Sequence, residues 1–400
     1  MYARRKLLIH EGAIDLKGRS DIHYFDFAAT TFMCEPSIQA YADFQRNISV
    51  LWGKGSNELA ALSKEIFDEA AASIRKHFRM DENFRLILGK NATELTNIIA
   101  MSIEHLVNPM DIILVGPYEH HSNFLPWKYL ARRTGALFIE MPLTESGEID
   151  TSYIETISDH VKIVAYSSVA NTNGFIVNKH QIDALFGNDT LIFSDESQCV
   201  AHAPIETERM VSGYILSSHK MYGPKNIAGA FVRSDLVKKM RPVFLGGGMI
   251  DTQQMDDAWA SDEYKFYAGT YDVGLLYAWA AACEYLDAIS YQNIQAKELA
   301  DAKRVRAFLA HQDAVTLLSG KQSSASLIAF VHDRIHPHDI ENFLAKRHVV
   351  IRAGHMCAQN AVRKMGYYAI NRISFGLAVT DEDFEALCHA LQQCFEEASG

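Results

Sequence analysis

The sequence predicts an α/β protein in which a large, mostly parallel sheet of seven strands is followed by a smaller α+β C-terminal domain. Seven short apolar runs, rich in β-branched residues, alternate with helical patterns between residues 84 and 232. Such unbroken apolar runs are typical of strands that are buried on both faces of a sheet covered by helices. After about residue 285 the pattern changes to a long helix followed by separate strands. This change predicts a second, smaller domain.

The elements of the large domain, placed at residues 22–285, come first in the chain. Apolar residues recur at helical spacing over 59–74 and 95–106, and both stretches are predicted to be core-facing helices. The seven predicted strands are 84–88, 111–115, 136–141, 161–166, 190–193, 214–216 and 228–232.

The smaller domain is placed at residues 286–400. Its predicted elements are a helix over 297–309, strands over 326–331, 349–352 and 372–375, and a last helix. That helix begins after Thr380, which forms a capping-box-like pattern with Asp383 because a hydroxyl and a carboxylate can satisfy free backbone amides.

Composition and charge exclude several classes of function. The 400 residues carry 38 Lys and Arg against 49 Asp and Glu, a net charge of −11 without long single-sign runs. Proteins that bind nucleic acid or membrane surfaces need a basic face, so we expect neither partner here. No signal peptide or spanning helix is expected in the first twenty residues. Six cysteines without a Cys-x-x-Cys pair favour a cytoplasmic protein over a disulfide framework or a zinc ribbon.

Polar residues follow the predicted strands at the sheet edge where α/β enzymes bind ligands. Asp195 ends one buried run, and Lys220 follows the next strand. A buried carboxylate requires a cationic partner or several hydrogen bonds, and a desolvated lysine can lose its proton. Pyridoxal 5'-phosphate (PLP) requires this pair, an amine for its aldehyde and a carboxylate for its ring nitrogen. The pair therefore predicts PLP as the cofactor.

Further residues after these strands suit the rest of such a cofactor. Thr93 at a predicted helix start offers a hydroxyl, backbone amides and the positive end of the helix dipole to a phosphate. Ser217 and His219 are further donors, and His120 could stack on the ring. One anionic ligand with an aromatic ring could contact all of them.

Seven strings in one order carry a resemblance to a known family. They are YFDFAAT at 24–30, YEHHSNFLPW at 118–127, SSHKMYGP at 217–224, GGGMI at 246–250, AGT at 268–270, RAGHMCA at 352–358 and RIS at 372–374. The strings resemble the class V aminotransferase family, specifically its SufS-type cysteine desulfurase and selenocysteine lyase branch, over nearly the whole chain. The resemblance implies the PLP-dependent transferase fold type I, a homodimer, and a small domain that includes the N-terminal segment 1–21.

The resemblance implies which residues hold the cofactor. Lys220 would bond covalently to its aldehyde, Asp195 would bind the ring nitrogen, and Gln198 would bind the phenolic oxygen. Ala92 stands where relatives often carry a second hydroxyl, so one phosphate donor would be lost there. The other implied cofactor contacts are Ala92, Thr93, His120, Asn171, Ser217, His219 and, from the other subunit, Thr270.

The resemblance also implies the reaction. Arg372 would bind the carboxylate of the amino-acid substrate with help from Asn171. Lys220 and His120 would serve proton transfer, and Cys357 would attack the sulfur of L-cysteine, leaving a Cys357 persulfide and alanine. The sulfur would then pass to an acceptor, a partner protein or a reductant that reaches into the pocket. No metal site is implied.

Alternatives to this interpretation stay open. The substrate could be selenocysteine, or the chain could be a PLP-dependent C–S lyase or other β-eliminating enzyme of a specialised pathway that does not use Cys357. A non-catalytic binding subunit is disfavoured because Lys220, Asp195 and Gln198 are all present.

Two local features carry expectations of their own. Glu196 stands where relatives commonly carry glycine, which predicts an extra carboxylate near the cofactor. His332, His336 and His338 are predicted to lie in a loop, with structural or surface roles rather than as metal ligands.

Overall fold

A computed structural model describes residues 21–50, 52, 56–145, 147–250, 259–260, 262–319 and 326–397. The β-strands are β1 His23–Tyr24, β2 Phe84–Gly89, β3 Ile112–Val115, β4 Leu137–Glu140, β5 Val161–Ser167, β6 Leu191–Asp195, β7 Val211–Ser217, β8 Ala228–Arg233, β9 Val315–Leu317, β10 Leu327–His332, β11 Val349–Val350, β12 Arg352–Gly354 and β13 Ile370–Ser374. The α-helices are α1 Glu35–Asn47, α2 Glu58–His77, α3 Ala92–Ser102, α4 Leu125–Thr134, α5 Thr151–Ile157, α6 Lys179–Ala184, α7 Ser234–Lys239, α8 Val273–Ile289, α9 Tyr291–Ala310, α10 Pro337–Ala345, α11 Gln359–Lys364 and α12 Asp381–Glu397. Within these described ranges, no helix combines the length and the apolar character needed to cross a membrane.

The large sheet has seven strands in the order β2-β8-β7-β6-β5-β3-β4. The strands from β7 to β4 run parallel to one another, and β8 is antiparallel to both of its neighbours. All seven predicted strands are confirmed, although the one predicted at 214–216 extends over Val211–Ser217. The carboxyl ends of β5, β6 and β7 meet at one edge because these strands are parallel.

The smaller sheet is antiparallel, in the order β12-β13-β10-β9. Its hydrophobic cluster is formed by residues after Ala302, together with Phe25 and Phe27 from the beginning of the described chain. A separate, larger cluster surrounds the seven-stranded sheet. The domain division at 285/286 stays a prediction, and residues 1–20 of the N-terminal segment lie outside the described residues.

The segment after β1 joins the two parts of the molecule. Strand β1 pairs in parallel with β11, and Asp26 forms a parallel bridge with Ser374. Further along, Ala28 O accepts a hydrogen bond from Gln198 Nε2 at 2.8 Å, and Thr31 N donates to His219 O at 2.9 Å. The segment therefore passes between the smaller sheet and the loops after β6 and β7.

Helix α2 confirms the predicted helix, and its predicted core face is confirmed at Ala70 and Ile74 but not at the beginning of the helix. Leu59, expected on the core face, is 44% exposed. The buried face is formed by Ala60, Ser63, Phe67, Ala70, Ile74 and His77. Phe67 stacks on Trp52 with ring centroids 4.4 Å apart, so burial of a large aromatic ring determines which face turns inward.

Candidate active site

A cavity of about 690 Å³ lies at the carboxyl edge of the large sheet. It is lined by every predicted site residue except Thr270, namely Ala92, Thr93, His120, Asn171, Asp195, Gln198, Ser217, His219, Lys220, Cys357 and Arg372. Thr270 lines a second cavity together with Gly246, Gly247 and Ala268. One copy of the chain therefore brings together all of the predicted site except Thr270.

Asp195 and Lys220 line the same cavity and interact electrostatically. Asp195 is the last residue of β6, and Lys220 ends the short 3-10 helix Ser218–Lys220 that follows β7. Burial lowers the pKa of Lys220, and the Asp195 carboxylate partly opposes that shift. Burial raises the pKa of Asp195, while Lys220 and hydrogen bonds from Ser197 oppose the rise. The pair thus supplies an amine that can lose its proton and a carboxylate that a cationic nitrogen would stabilise.

His120 presents a neutral ring to the same cavity. Its Nδ1 accepts a hydrogen bond from Ser122 N at 3.1 Å and lies 2.7 Å from Ser122 Oγ. Burial, followed by the charge of Lys220, lowers the pKa of His120 to about 3. With Nδ1 occupied as an acceptor, we assign the ring proton to Nε2. A neutral, fixed imidazole suits stacking on an aromatic cofactor.

Glu119, which sequence reasoning left without a role, anchors the His120 loop from behind. Its carboxylate accepts hydrogen bonds from Ser167 N at 2.8 Å, Ser167 Oγ at 2.7 Å and Asn123 Nδ2 at 2.7 Å. Burial raises the pKa of Glu119 to about 7 in spite of these donors. Gly116 leaves the necessary room, since a Cβ there would lie 2.1 Å from Glu119 Oε1.

The phosphate end of the predicted cofactor site is rich in donors. Asn91 caps helix α3 by accepting from Glu94 N at 2.9 Å, and Thr93 lies in the first turn. Ser217 contributes a buried hydroxyl. Burial lowers the pKa of His219 to about 4, so near neutral pH this imidazole is an uncharged donor or acceptor. Hydroxyls, amides and a helix N-terminus fit a phosphate group, and the buried Ala92 contributes no side-chain donor.

Arg372, in strand β13 of the smaller sheet, lines the cavity and is almost completely buried. Its Nη1 donates to Asn171 O at 2.7 Å, and its Nη2 donates to Asp26 Oδ1 at 2.7 Å. Its buried Nε has no hydrogen-bond partner among the described residues. A buried donor without an acceptor fits a site that binds a carboxylate ligand.

The loop that carries Cys357 connects β12 to α11 in a constrained backbone. Gly354, Met356 and Cys357 have φ angles of 105°, 49° and 55°. Asn171 Nδ2 donates to Met356 O at 2.7 Å, and His121 N donates to Cys357 O at 2.7 Å. These contacts fix the loop while the Cys357 side chain stays exposed.

The other cysteines behave differently from Cys357. Cys34, Cys199, Cys283 and Cys394 are buried, and Cys388 is half-buried. Burial raises the pKa of Cys34 and of Cys199 to about 12, which keeps both thiols protonated. Cys357 is the exposed thiol of the chain and the one in the cavity.

Two sequence-based expectations were wrong. Glu196 does not line the cavity, because its Oε1 turns to Lys179 Nζ at 2.8 Å and Ser194 Oγ at 2.6 Å in the interior. His332 and His338 do not lie in a loop. His332 is the last residue of strand β10, and helix α10 begins at Pro337, whose missing N–H suits the first helical turn. His338 also lines the cavity, a position that its spacing from other histidines did not indicate.

Comparisons with known proteins agree with this geometry. The family model for aminotransferase class-V matches residues 23–387. A probable cysteine desulfurase of Halalkalibacterium halodurans is 30% identical over 382 residues, which cover 94% of each chain. A probable cysteine desulfurase of Staphylococcus aureus is 29% identical over 379 residues, which cover 93% of this chain and 92% of the relative.

Solved structures share the fold. The apo structure of a cysteine desulfurase from Thermococcus onnurineus NA1 matches with a TM-score of 0.89 and 23% identity, over 94% of this chain and 95% of that one. The cysteine desulfurase CsdA (S-sulfonic acid) from Escherichia coli matches with a TM-score of 0.86 and 25% identity, over 94% of this chain and 96% of that one. These matches confirm the PLP-dependent transferase fold type I.

The family match covers most of the chain and contains every residue of the cavity described above. Members of this family are PLP-dependent enzymes. The chain belongs to the aminotransferase class-V family.

Proposed function

We propose that this protein is a PLP-dependent cysteine desulfurase, which converts L-cysteine to L-alanine and holds the sulfur as a persulfide on Cys357. The observation that carries the proposal is one cavity that contains the Lys220–Asp195 pair, the carboxylate-binding Arg372 and the exposed thiol of Cys357. The relatives named as probable cysteine desulfurases over 92–94% of their length support the same reaction.

The residues of the cavity fit PLP. When bound, PLP would supply an electron sink that makes the α-proton of an amino acid acidic. Lys220 would hold its aldehyde, Asp195 its ring nitrogen and Gln198 its phenolic oxygen, with the neutral ring of His120 stacked on it. The other proposed cofactor contacts are Ala92, Thr93, Asn171, Ser217 and His219, all of which line the cavity.

Arg372 and Lys220 would act on the amino-acid part of the substrate. The guanidinium of Arg372 binds the carboxylate. Asn171 O fixes its Nη1, and its Nε is buried without a hydrogen-bond partner among the described residues. Burial lowers the pKa of Lys220, which favours the neutral amine that can take the α-proton.

Cys357 would act on the sulfur. Its thiolate attacks the substrate sulfur, so that a sulfur–sulfur bond forms while the bond between Cβ and sulfur breaks. The electron pair of the broken bond stays with the carbon fragment, which takes up protons and leaves as alanine. The sulfur acceptor, which we propose to be a thiol of a partner protein or a reductant, reaches an exposed residue.

Replacement of Cys357 by alanine tests this function. We expect Cys357→Ala to lose formation of alanine from L-cysteine while it keeps PLP, because no residue holding the cofactor changes. Cys388→Ala is the matched control, since Cys388 is also partly accessible but lies in α12. A Cys357→Ala enzyme that turns over L-cysteine at the wild-type rate and releases pyruvate and sulfide would instead identify a C–S lyase.

The proposed functional unit is a homodimer, because Thr270 lies outside the cavity in a single chain. Thr270 is exposed, and exposed apolar side chains surround its segment: Phe244, Leu245, Ile250 and Trp259 are 43–69% exposed. An apolar surface of this kind is typical of a protein interface. We propose that Thr270 completes the phosphate site of a second copy.

Mixed dimers test the proposed homodimer. Lys220→Ala and Thr270→Val chains are each expected to be impaired alone, whereas co-refolded mixtures regain activity because one site of each mixed dimer receives Lys220 and Thr270 intact. Mixtures that show only the sum of the two separate activities would contradict a shared site. The cytoplasmic location expected from the cysteine pattern stays a prediction.

A further inference from the structure

Two arginines face each other beside the cavity. Strands β12 and β13 are antiparallel, and their register places Arg352 directly opposite Arg372. Like charges directly opposite each other in a sheet destabilise it, and the repulsion increases with burial. Arg372 is 2% exposed whereas the Arg352 side chain is 47% exposed, so water screens the repulsion only from the side of Arg352. This arrangement requires an anion close to both side chains.

Asp26 is that anion. One of its oxygens, Oδ1, accepts from Arg372 Nη2 at 2.7 Å, and the other, Oδ2, accepts from Arg352 Nε at 3.0 Å and Nη2 at 2.7 Å. Asp26 is 3% exposed, and its backbone is fixed by the bridge to Ser374 next to Arg372. The carboxylate therefore occupies a rigid position between the two guanidinium groups.

These contacts determine which nitrogen of Arg372 lacks a hydrogen-bond partner. Nη1 is occupied by Asn171 O and Nη2 by Asp26, which leaves Nε without a partner among the residues that the structure describes. Without Asp26, repulsion by Arg352 would act on a long side chain retained by a single neutral acceptor. The guanidinium would then leave the orientation in which Nε is free.

We infer that Asp26 is a positioning residue for substrate binding, which holds Arg372 in its carboxylate-binding orientation against the repulsion of Arg352. The inference rests on the proposed function in that it takes an amino-acid carboxylate as the ligand of Arg372. Asp26 acts through Arg372 and does not line the cavity itself.

A different role for Asp26 makes opposite predictions. If Asp26 only reduced the positive charge of the site, Asp26→Asn would bind an anionic carboxylate more tightly. The summed charge of residues 26, 352 and 372 rises from +1 to +2 in this variant. The double variant Asp26→Asn/Arg352→Gln restores the wild-type charge of +1 and also removes the opposing arginine. The single variant Arg352→Gln lowers the charge to 0 and leaves Arg372 paired with Asp26. These three variants separate charge from position.

Binding of L-alanine to the PLP-loaded proteins, measured by calorimetry and by the absorbance of the cofactor, tests the inference. We expect the dissociation constant to rise about tenfold or more in Asp26→Asn, and to stay within about threefold of the wild type in Arg352→Gln and in the double variant. Tighter binding by Asp26→Asn would overturn the positioning role. A double variant that binds as weakly as Asp26→Asn would also overturn it. Removal of the Arg352 charge would then have failed to restore the carboxylate-binding orientation of Arg372.

A crystal structure of the ligand-free Asp26→Asn protein provides a readout that does not depend on the reaction. We expect Arg372 Nη1 to have left Asn171 O in this variant and to have regained that contact in the double variant. An Arg372 that keeps its wild-type position in Asp26→Asn would reject the inference. Absence of desulfurase activity in the wild-type enzyme would reject the proposed function alone, since the crystal structures would still decide the role of Asp26.

Discussion

The floor and the roof of the cavity neutralise their charges in different ways. The floor consists of Asp195, the last residue of β6, and Lys220, which ends the short 3-10 helix after the neighbouring parallel strand β7. The roof consists of Arg352, Arg372 and Cys357. Asp26, which does not line the cavity, pairs with both arginines although it is 346 residues away from Arg372 in the chain. A site built on adjacent strand ends is visible in sequence motifs, whereas a site built from distant segments depends on how those segments assemble.

The largest effect is expected from replacement of Lys220, one of the two floor residues. Lys220→Ala removes both the amine that would hold PLP and the base for the α-proton, so turnover of L-cysteine should fall by about a thousandfold or more. The measurement is alanine formation together with the absorbance of bound PLP. Lys225→Ala is the control, since Lys225 is exposed on the same loop. A Lys220→Ala enzyme with substantial activity would show that the floor is not the catalytic centre.

The next effect concerns Glu119, which supports the floor from behind. Folding raises its pKa from 4.5 to about 7 through burial, so folding favours the neutral carboxyl. The stability gained by protonation is fully present below about pH 4.5 and is lost as the pH rises through 7, a change of about 3 kcal/mol. Glu119→Gln cannot ionise, and its free energy of unfolding should therefore depend less on pH between 4.5 and 8.

Urea unfolding of the cofactor-free protein over this pH range provides the measurement for Glu119. Glu145→Gln, at an exposed position, serves as the control and should follow the wild type. Parallel pH profiles for Glu119→Gln and the wild type would show that Glu119 is ionised throughout, held by the three hydrogen bonds to Ser167 and Asn123 alone.

The smallest effect is expected from replacement of Gly354, in the loop that carries the roof residue Cys357. Gly354 has a φ of 105°, which side-chain-bearing residues rarely adopt, and a Cβ would lie 3.3 Å from the ring of His338. Gly354→Ala should lower the free energy of unfolding by about 2 kcal/mol and slow persulfide formation more than it weakens PLP binding. Thermal unfolding and single-turnover rates measure the two effects. Gly187→Ala is the control because a Cβ there meets no atom within 4 Å, and equal effects of both substitutions would contradict a strained Cys357 loop.

The difference between floor and roof also explains what could be predicted from sequence. Apolar runs predicted the strands, and the polar residues after them predicted the floor, because strand direction alone brings those residues to one edge. Asp26 lies in one of the strings that indicated the family, but its role depends on the β12–β13 register and could not be seen there. The inward turn of Glu196 depends on Lys179 of helix α6, another contact between distant residues.

Polar residues behind a site are harder still to predict. Glu119 precedes His120 in the chain. The pattern of polar and apolar residues around it does not indicate that its carboxyl group is buried against Ser167. The buried face of α2 was predicted only in part for a similar reason, because periodicity indicated the helix whereas the packing of Phe67 determined its face. In both cases the local residue pattern was compatible with more than one arrangement, and contacts between distant residues determined which side chains are buried.

The central claim is that the floor and the roof act on one substrate, with the carbon chain at Lys220 and the sulfur at Cys357. A single turnover of L-cysteine by the PLP-loaded enzyme, without a sulfur acceptor, tests it most directly. Alanine is measured in solution, and the peptide that contains Cys357 is measured by mass spectrometry. We expect one added sulfur atom on Cys357 for each alanine formed, and neither product in Cys357→Ser. Pyruvate and free sulfide, with an unmodified Cys357, would contradict it.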